Sequence, residues 1–221
     1  LREQYFNSDN LTQKSQELLN HCLPPPNRDN NILDWENSAL LVLDMQGIFL
    51  GSTSHAFVPS SPYIVQGLIR LIHSFLDNSL PVILTRHIDN SEYNGMMRKW
   101  WNKPILETDE LSALIPEMQR FDVPVLLKQE YDAFYDTQLS EILKDTAIND
   151  LIITGVMTHL CVESTVRSAF VKGYQTYLPV DGTASYNEAF HRASLLNLSH
   201  GFAVMTTIDS LILNLAKNFS D

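Results

Sequence analysis

Asp44, Lys128 and Cys161 bring a carboxylate, an ammonium and a thiol to one chain, and these are the parts that nucleophilic catalysis needs as base, electrostatic partner and nucleophile. Cys161 stands in residues 150–170, which open as an apolar, β-branched run, break at Gly155, and resume with Cys161, Thr165 and Ala169 at helical spacing. Val162, Val166 and Phe170 lie beside that stripe. The pattern predicts a buried strand, a tight turn and a helix, with the thiol in the first helical turn. Unsatisfied N–H groups and the helix dipole stabilise a thiolate there. Each residue also has a plainer reading. A free cysteine usually behaves as a small buried hydrophobe, and a charged residue directly after an apolar strand often marks where the chain meets water. The coincidence carries more weight: Asp44, Lys128 and Cys161 each follow a predicted strand, and open parallel sheets bind ligands outside the carboxyl ends of their strands.

The elements that would position these groups can be read from apolar runs. Strands are predicted at 39–43, 81–85, 123–128, 151–154, 174–180 and 202–206, with helices from Ile64 to Leu76 on one face, at 137–145, 187–200 and from Asp209 onward. Six alternations of strand and helix predict an α/β fold, a three-layer α/β/α sandwich with a six-stranded, mainly parallel sheet of Rossmann-like kind. Residues 1–37 are polar, carry Pro24, Pro25 and Pro26, and have room for a short helix at 11–23. They form an arm expected to pack across the domain or onto a second subunit, with the domain at 38–221. Residues 86–116 make an unusually long connection that holds Met96, Met97, Trp100 and Trp101.

With 221 residues, 44% hydrophobic and 19% charged, the chain is long enough for one substantial core. No apolar run approaches bilayer length and no leader pattern is visible, so we expect a soluble, cytoplasmic protein; the first residue is Leu1, which leaves room for an upstream portion. The two cysteines, Cys22 and Cys161, lie in segments of different character and suggest no disulfide framework. A formal net charge of −11 argues against nucleic-acid and anionic-membrane partners. The expected partner is a small-molecule substrate.

Three blocks together resemble the signatures of the isochorismatase-like cysteine hydrolase superfamily: Val-Leu-Asp-Met-Gln at 42–46, Lys-Gln-Glu-Tyr-Asp-Ala-Phe at 128–134, and Gly-Val-Met-Thr-His-Leu-Cys-Val at 155–162. The resemblance spans residues 39–213. It implies a catalytic triad of Asp44, Lys128 and Cys161, a non-proline cis peptide at Val156-Met157, and an oxyanion hole formed by the N–H groups of Met157 and Cys161. It implies no redox or organic cofactor. We expect a homo-oligomer, dimer or tetramer. Arg86, Trp100 and Tyr131 are the expected substrate-binding residues, with His87 beside them; Phe134 is read as core and His191 as structural.

Two departures from family patterns matter. Nicotinamidases carry an Asp-x-His metal element after the first strand, whereas residues 51–55 read Gly-Ser-Thr-Ser-His. Two isolated histidines, His55 and His87, are a weak zinc set, so no metal is expected and nicotinamide is disfavoured. Conversely, the Trp100-Trp101 insertion and the proline-bearing arm resemble isochorismatases that hydrolyse a vinyl ether, yet those have a small residue where Cys161 stands. The favoured expectation is cleavage of a small amide or related C–N bond through a cysteine thioester. The rivals are vinyl-ether hydrolysis with Asp44 as acid, and a non-catalytic binding or scaffold subunit.

Overall fold

Apolar runs without alternation demand cover on both faces, and this requirement shapes the architecture. The computed structural model describes residues 2–25, 32–89, 95–101 and 103–219. In chain order the elements are α1 (Leu11–His21), β1 (Ser38–Leu43), α2 (Gly47–Leu50), α3 (Ser61–Asp77), β2 (Val82–His87), α4 (Met96–Trp100), α5 (Pro116–Gln119) and β3 (Val125–Lys128). There follow α6 (Leu139–Asp145), β4 (Asp150–Val156), α7 (Glu163–Val171), β5 (Gln175–Pro179), β6 (Thr183–Ala184), α8 (Glu188–Gly201), β7 (Val204–Thr206) and α9 (Ile208–Asn218). A 3-10 turn, Glu110–Ser112, precedes α5, and a single π turn, Thr158–Val162, leads into α7.

The sheet runs β3-β2-β1-β4-β5-β7, with every pairing parallel. β1 and β4 sit at its centre and are buried at every position. Helices α3 and α9 pack together in one layer, while α7, α8 and α1 pack in the other. Among the described residues the sheet has seven strands where six were expected. The addition, β6, is only two residues long and pairs Thr183 with Gly155 and Ala184 with Val156. A strand that short has no periodicity to read.

Gly155 does not break β4, as the sequence suggested; the strand runs through it to Val156. The glycine answers to a close approach instead. Its φ is +99°, and a Cβ there would lie 2.0 Å from the carbonyl oxygen of Leu43 on β1. β2 likewise outruns its predicted end by two residues, to His87.

The N-terminal segment packs across its own domain. Tyr5 and Phe6 are buried, both backbone N–H groups donate to Ser60 Oγ at 2.9 and 3.1 Å, and the Ser185 N–H donates to the Tyr5 hydroxyl at 2.8 Å. Full burial of the Phe6 ring alone stabilises this docking by about 2–3 kcal/mol. Helix α1 then lies on α8, where Lys14 and Arg192 join Glu17 and Glu188. The end of the triple-proline element, from Pro26 to Asn31, lies outside the described residues.

Candidate active site

Strand order reverses between β1 and β4, and ligands gather at such switch points. Asp44 directly follows β1 with φ +54°, a left-handed conformation that aspartate accepts more readily than most residues. Its carboxylate is buried. Thr85 on β2 donates to Asp44 Oδ1 at 2.6 Å, and the Asp44 N–H donates back to Thr85 Oγ1 at 3.2 Å. Lys128 closes β3, opposite His87 in register. Two strand spacings of about 4.8 Å separate β3 from β1, a gap that only a long side chain crosses. Its Nζ lies 2.7 Å from Asp44 Oδ2, donates to the Glu130 carbonyl at 3.1 Å, and donates to Cys161 Sγ at 3.4 Å. The three expected residues therefore meet, all buried, at one point on the sheet's carboxyl rim.

Cys161 sits in the π turn beyond β4, and such turns recur at functional sites. Burial pushes its thiol up; Lys128 pulls it down and Asp44 pushes it up again, leaving it at about 12. At neutral pH the resting group is a thiol and not the thiolate anticipated from the helix start, because desolvation outweighs the single nearby cation. Burial also opposes the Lys128 charge, but Asp44 and Cys161 prevail and hold it above the ordinary lysine range. An ammonium and a carboxylate thus stand beside a neutral thiol, the carboxylate opposing its ionisation.

Cys161 opens onto a cavity of about 360 Å³. Met157 and Leu160 line it together with the thiol, and the Val156-Met157 peptide is cis. Tyr131 lies on a side wall, where Trp101 Nε1 donates to its hydroxyl at 2.6 Å. The tryptophan facing the cavity is therefore Trp101. Trp100, the expected residue, is 73% exposed and does not line it, because one step along the short helix α4 turns the side chain away. Arg86 is also corrected. Its guanidinium donates to the carbonyl and hydroxyl of Ser112, both at 2.9 Å, on the side of β2 away from the cavity. Strand alternation accounts for this, since Thr85 and His87 share the opposite face. That period-two pattern also offers the signal that could have found Thr85.

Other groups hold the rim together. The Gln46 amide donates to the carbonyls of His87 and Ser112 and accepts from the His87 N–H at 2.8 Å, clamping the end of β2. His191 is buried between Thr158 Oγ1, at 2.9 Å, and the Val180 carbonyl, at 3.1 Å, and burial lowers it to about 3, as fits a structural neutral ring. Phe134 stacks on Tyr174 in the core, with centroids 5.8 Å apart. His159 pairs with Ser185 Oγ at 2.6 Å, and Glu163 binds Arg167 and Ser194. Neither turns to Cys161.

Because the resembled superfamily includes nicotinamidases with a metal-binding element, the histidines of the cavity need a test of fit. His55, His87 and Asp89 all line it. His87 Nε2 is 3.5 Å from Asp89 Oδ1, while Asp89 Oδ2 already accepts the Ile105 N–H at 2.6 Å. Two cations, Arg2 and Lys103, act on His55. Among the described residues no three His, Cys, Asp or Glu side chains converge as a metal set. Positive charge beside one histidine and a committed carboxylate beside the other do not fit a divalent cation.

The Isochorismatase domain family profile matches residues 38–210. The chain is 37% identical over 186 residues to Nicotinamidase 3 of Arabidopsis thaliana, covering 82% of this chain and 90% of that protein. It is 26% identical over 185 residues to Enterobactin synthase component B of Escherichia coli K12, covering 80% of this chain and 65% of that protein. In three dimensions it resembles a cysteine hydrolase from Pseudomonas syringae, with TM-score 0.80, 24% identity, and coverage of 85% and 96% of the two chains. The strand-end geometry and a match across most of the chain agree, and the chain belongs to the isochorismatase family of hydrolases.

Proposed function

We propose that this protein hydrolyses a small amide or related C–N bond through a thioester on Cys161. One observation carries the reading: a thiol enclosed between a carboxylate and an ammonium, at the floor of a cavity sized for a small molecule. Asp44 takes the thiol proton as sulfur attacks the carbonyl, so charge on sulfur forms only when the substrate is present. Lys128 stays protonated and offsets the negative charge as it moves from Asp44 to the reacting centre. The N–H groups of Met157 and Cys161 are the proposed donors to the oxyanion. Collapse breaks the C–N bond, and Asp44 returns the proton to the departing amine. Water, giving a proton to Asp44, then attacks the thioester; sulfur leaves, regains the proton, and the carboxylic acid is released.

The 37% identical relative named as a nicotinamidase supports amide chemistry over vinyl-ether cleavage. Nicotinamide, disfavoured above for want of the Asp-x-His element, therefore joins the panel. The test is ammonia release from nicotinamide, N-carbamoyl amino acids and dicarboxylic monoamides by wild type, Cys161→Ala and Asp44→Asn. We expect turnover of at least one compound and its loss in both variants. Isochorismate hydrolysis by an active Cys161→Ala enzyme, with no amide turned over, would overturn the reading.

A further inference from the structure

The cavity onto which Cys161 opens also carries two cations: Arg2 and Lys103 both line it. Among the described residues neither makes an ion pair, whereas Asp89, the acid on the same wall, is engaged by His87 and by the Ile105 N–H. Both cations bear on His55, a neighbour on the same lining, and lower its proton affinity after a larger effect of burial. Arg2 is not loosely positioned. It donates to the His55 carbonyl, and its guanidinium lies 5.0 Å from the centroid of the Tyr186 ring. The Glu3 N–H donates to the Tyr186 carbonyl at 2.7 Å, and Tyr5 is fastened to Ser185, so the segment carrying Arg2 is sewn along the rim.

In a chain of net charge −11, two cations at the mouth of one cavity are a local reversal of sign. The cations and the thiol line the same cavity of about 360 Å³, a volume suited to one small ligand. We propose that Arg2 and Lys103 are specificity residues that select an anionic substrate, a small amide or ureide bearing a carboxylate opposite the scissile carbonyl. This rests on the thioester reading above. Arg2 lies outside residues 38–210, so the N-terminal segment completes the site instead of merely covering the domain. The guanidinium presents paired N–H donors that match a carboxylate, and Lys103 adds a point charge that also draws such substrates in.

Two alkylating reagents of nearly equal size test the proposal without knowledge of the substrate. Iodoacetate is anionic and iodoacetamide neutral, and labelling of the Cys161 peptide by each is followed by mass spectrometry. The expected iodoacetate-to-iodoacetamide rate ratio falls about three- to tenfold in Arg2→Gln and in Lys103→Gln, and falls in wild type as salt is raised. Lys217→Gln, on the exposed side of α9, keeps the wild-type ratio. A ratio unchanged in both cavity variants, with Cys161 still labelled, overturns the anion selection and leaves the thioester reading intact. Amide turnover that survives in Cys161→Ala overturns the thioester reading and, with it, the anion selection that rests on it.

Discussion

The floor and the mouth of the cavity follow different rules. On the floor, Asp44, Thr85, Lys128 and Cys161 come from the ends of four successive pieces of one sheet, and hydrogen-bond register fixes where each begins. At the mouth, Arg2, Trp101, Lys103 and Tyr186 come from connections and from the N-terminal segment, tied by single hydrogen bonds and ring contacts. The floor is buried, so its charges act strongly; Arg2 and Lys103 are exposed, so their charges are screened. The proposed chemistry therefore resides where the backbone is over-determined, and the proposed substrate choice where it is free to vary.

The comparison predicts which measured quantity moves. Changes to the floor should abolish turnover or unfold the protein, beginning with the largest effects. Lys128→Met leaves the Asp44 carboxylate buried without its ammonium, so we expect a loss of about 3–5 kcal/mol in urea unfolding together with complete inactivity. Gly155→Ala drives a methyl into the Leu43 carbonyl, and the resulting shift of β4 against β1 should lower the thermal midpoint by more than 10 °C. Thr85→Val removes the donor to Asp44 Oδ1 and should cost about 1–3 kcal/mol with a lower kcat. If Thr85→Val raised KM alone, the division between floor and mouth would fail.

Changes at the mouth should be milder. Tyr131→Phe removes the acceptor of the Trp101 N–H, and we expect KM to rise a few-fold with stability within about 0.5 kcal/mol of wild type. The reactivity of Cys161 with iodoacetamide gives the subtlest separation. Because its folded-state thiol stands at about 12, labelling should climb steadily from pH 7 to 10 without a plateau. In urea the same cysteine should level off near its ordinary value of about 8.5. The linked stability follows in sign: a thiol raised on folding contributes stability that is intact below the unfolded value and is lost as pH rises toward 12.

How far the sequence disclosed this arrangement depended on how regular the element was. The apolar runs ending in Asp44 and preceding Cys161 located the floor because buried parallel strands must be apolar and must stop where polar groups begin, whereas Lys128 ends an apolar edge strand whose Val125 and Leu127 are exposed. β6 escaped because two residues carry no period, and the role of Gly155 escaped because glycine marks a break and a close approach with the same letter. The cavity tryptophan was expected one position early, at Trp100 instead of Trp101, and Arg86 was expected on the wrong face of its strand, since side-chain direction alternates faster than an irregular boundary can be located. Arg2 was invisible: nothing in a polar arm announces that its backbone will be stitched beside Tyr186.

The central claim is that Cys161 forms the covalent bond, and it is most directly tested by acid-quenching the enzyme during turnover of the best amide on the panel and weighing the intact protein. The account predicts a mass increase equal to the acyl group, mapped to Cys161, absent in Cys161→Ala and discharged by hydroxylamine. Steady turnover by Cys161→Ala, or an acyl adduct mapped to another residue, would contradict it.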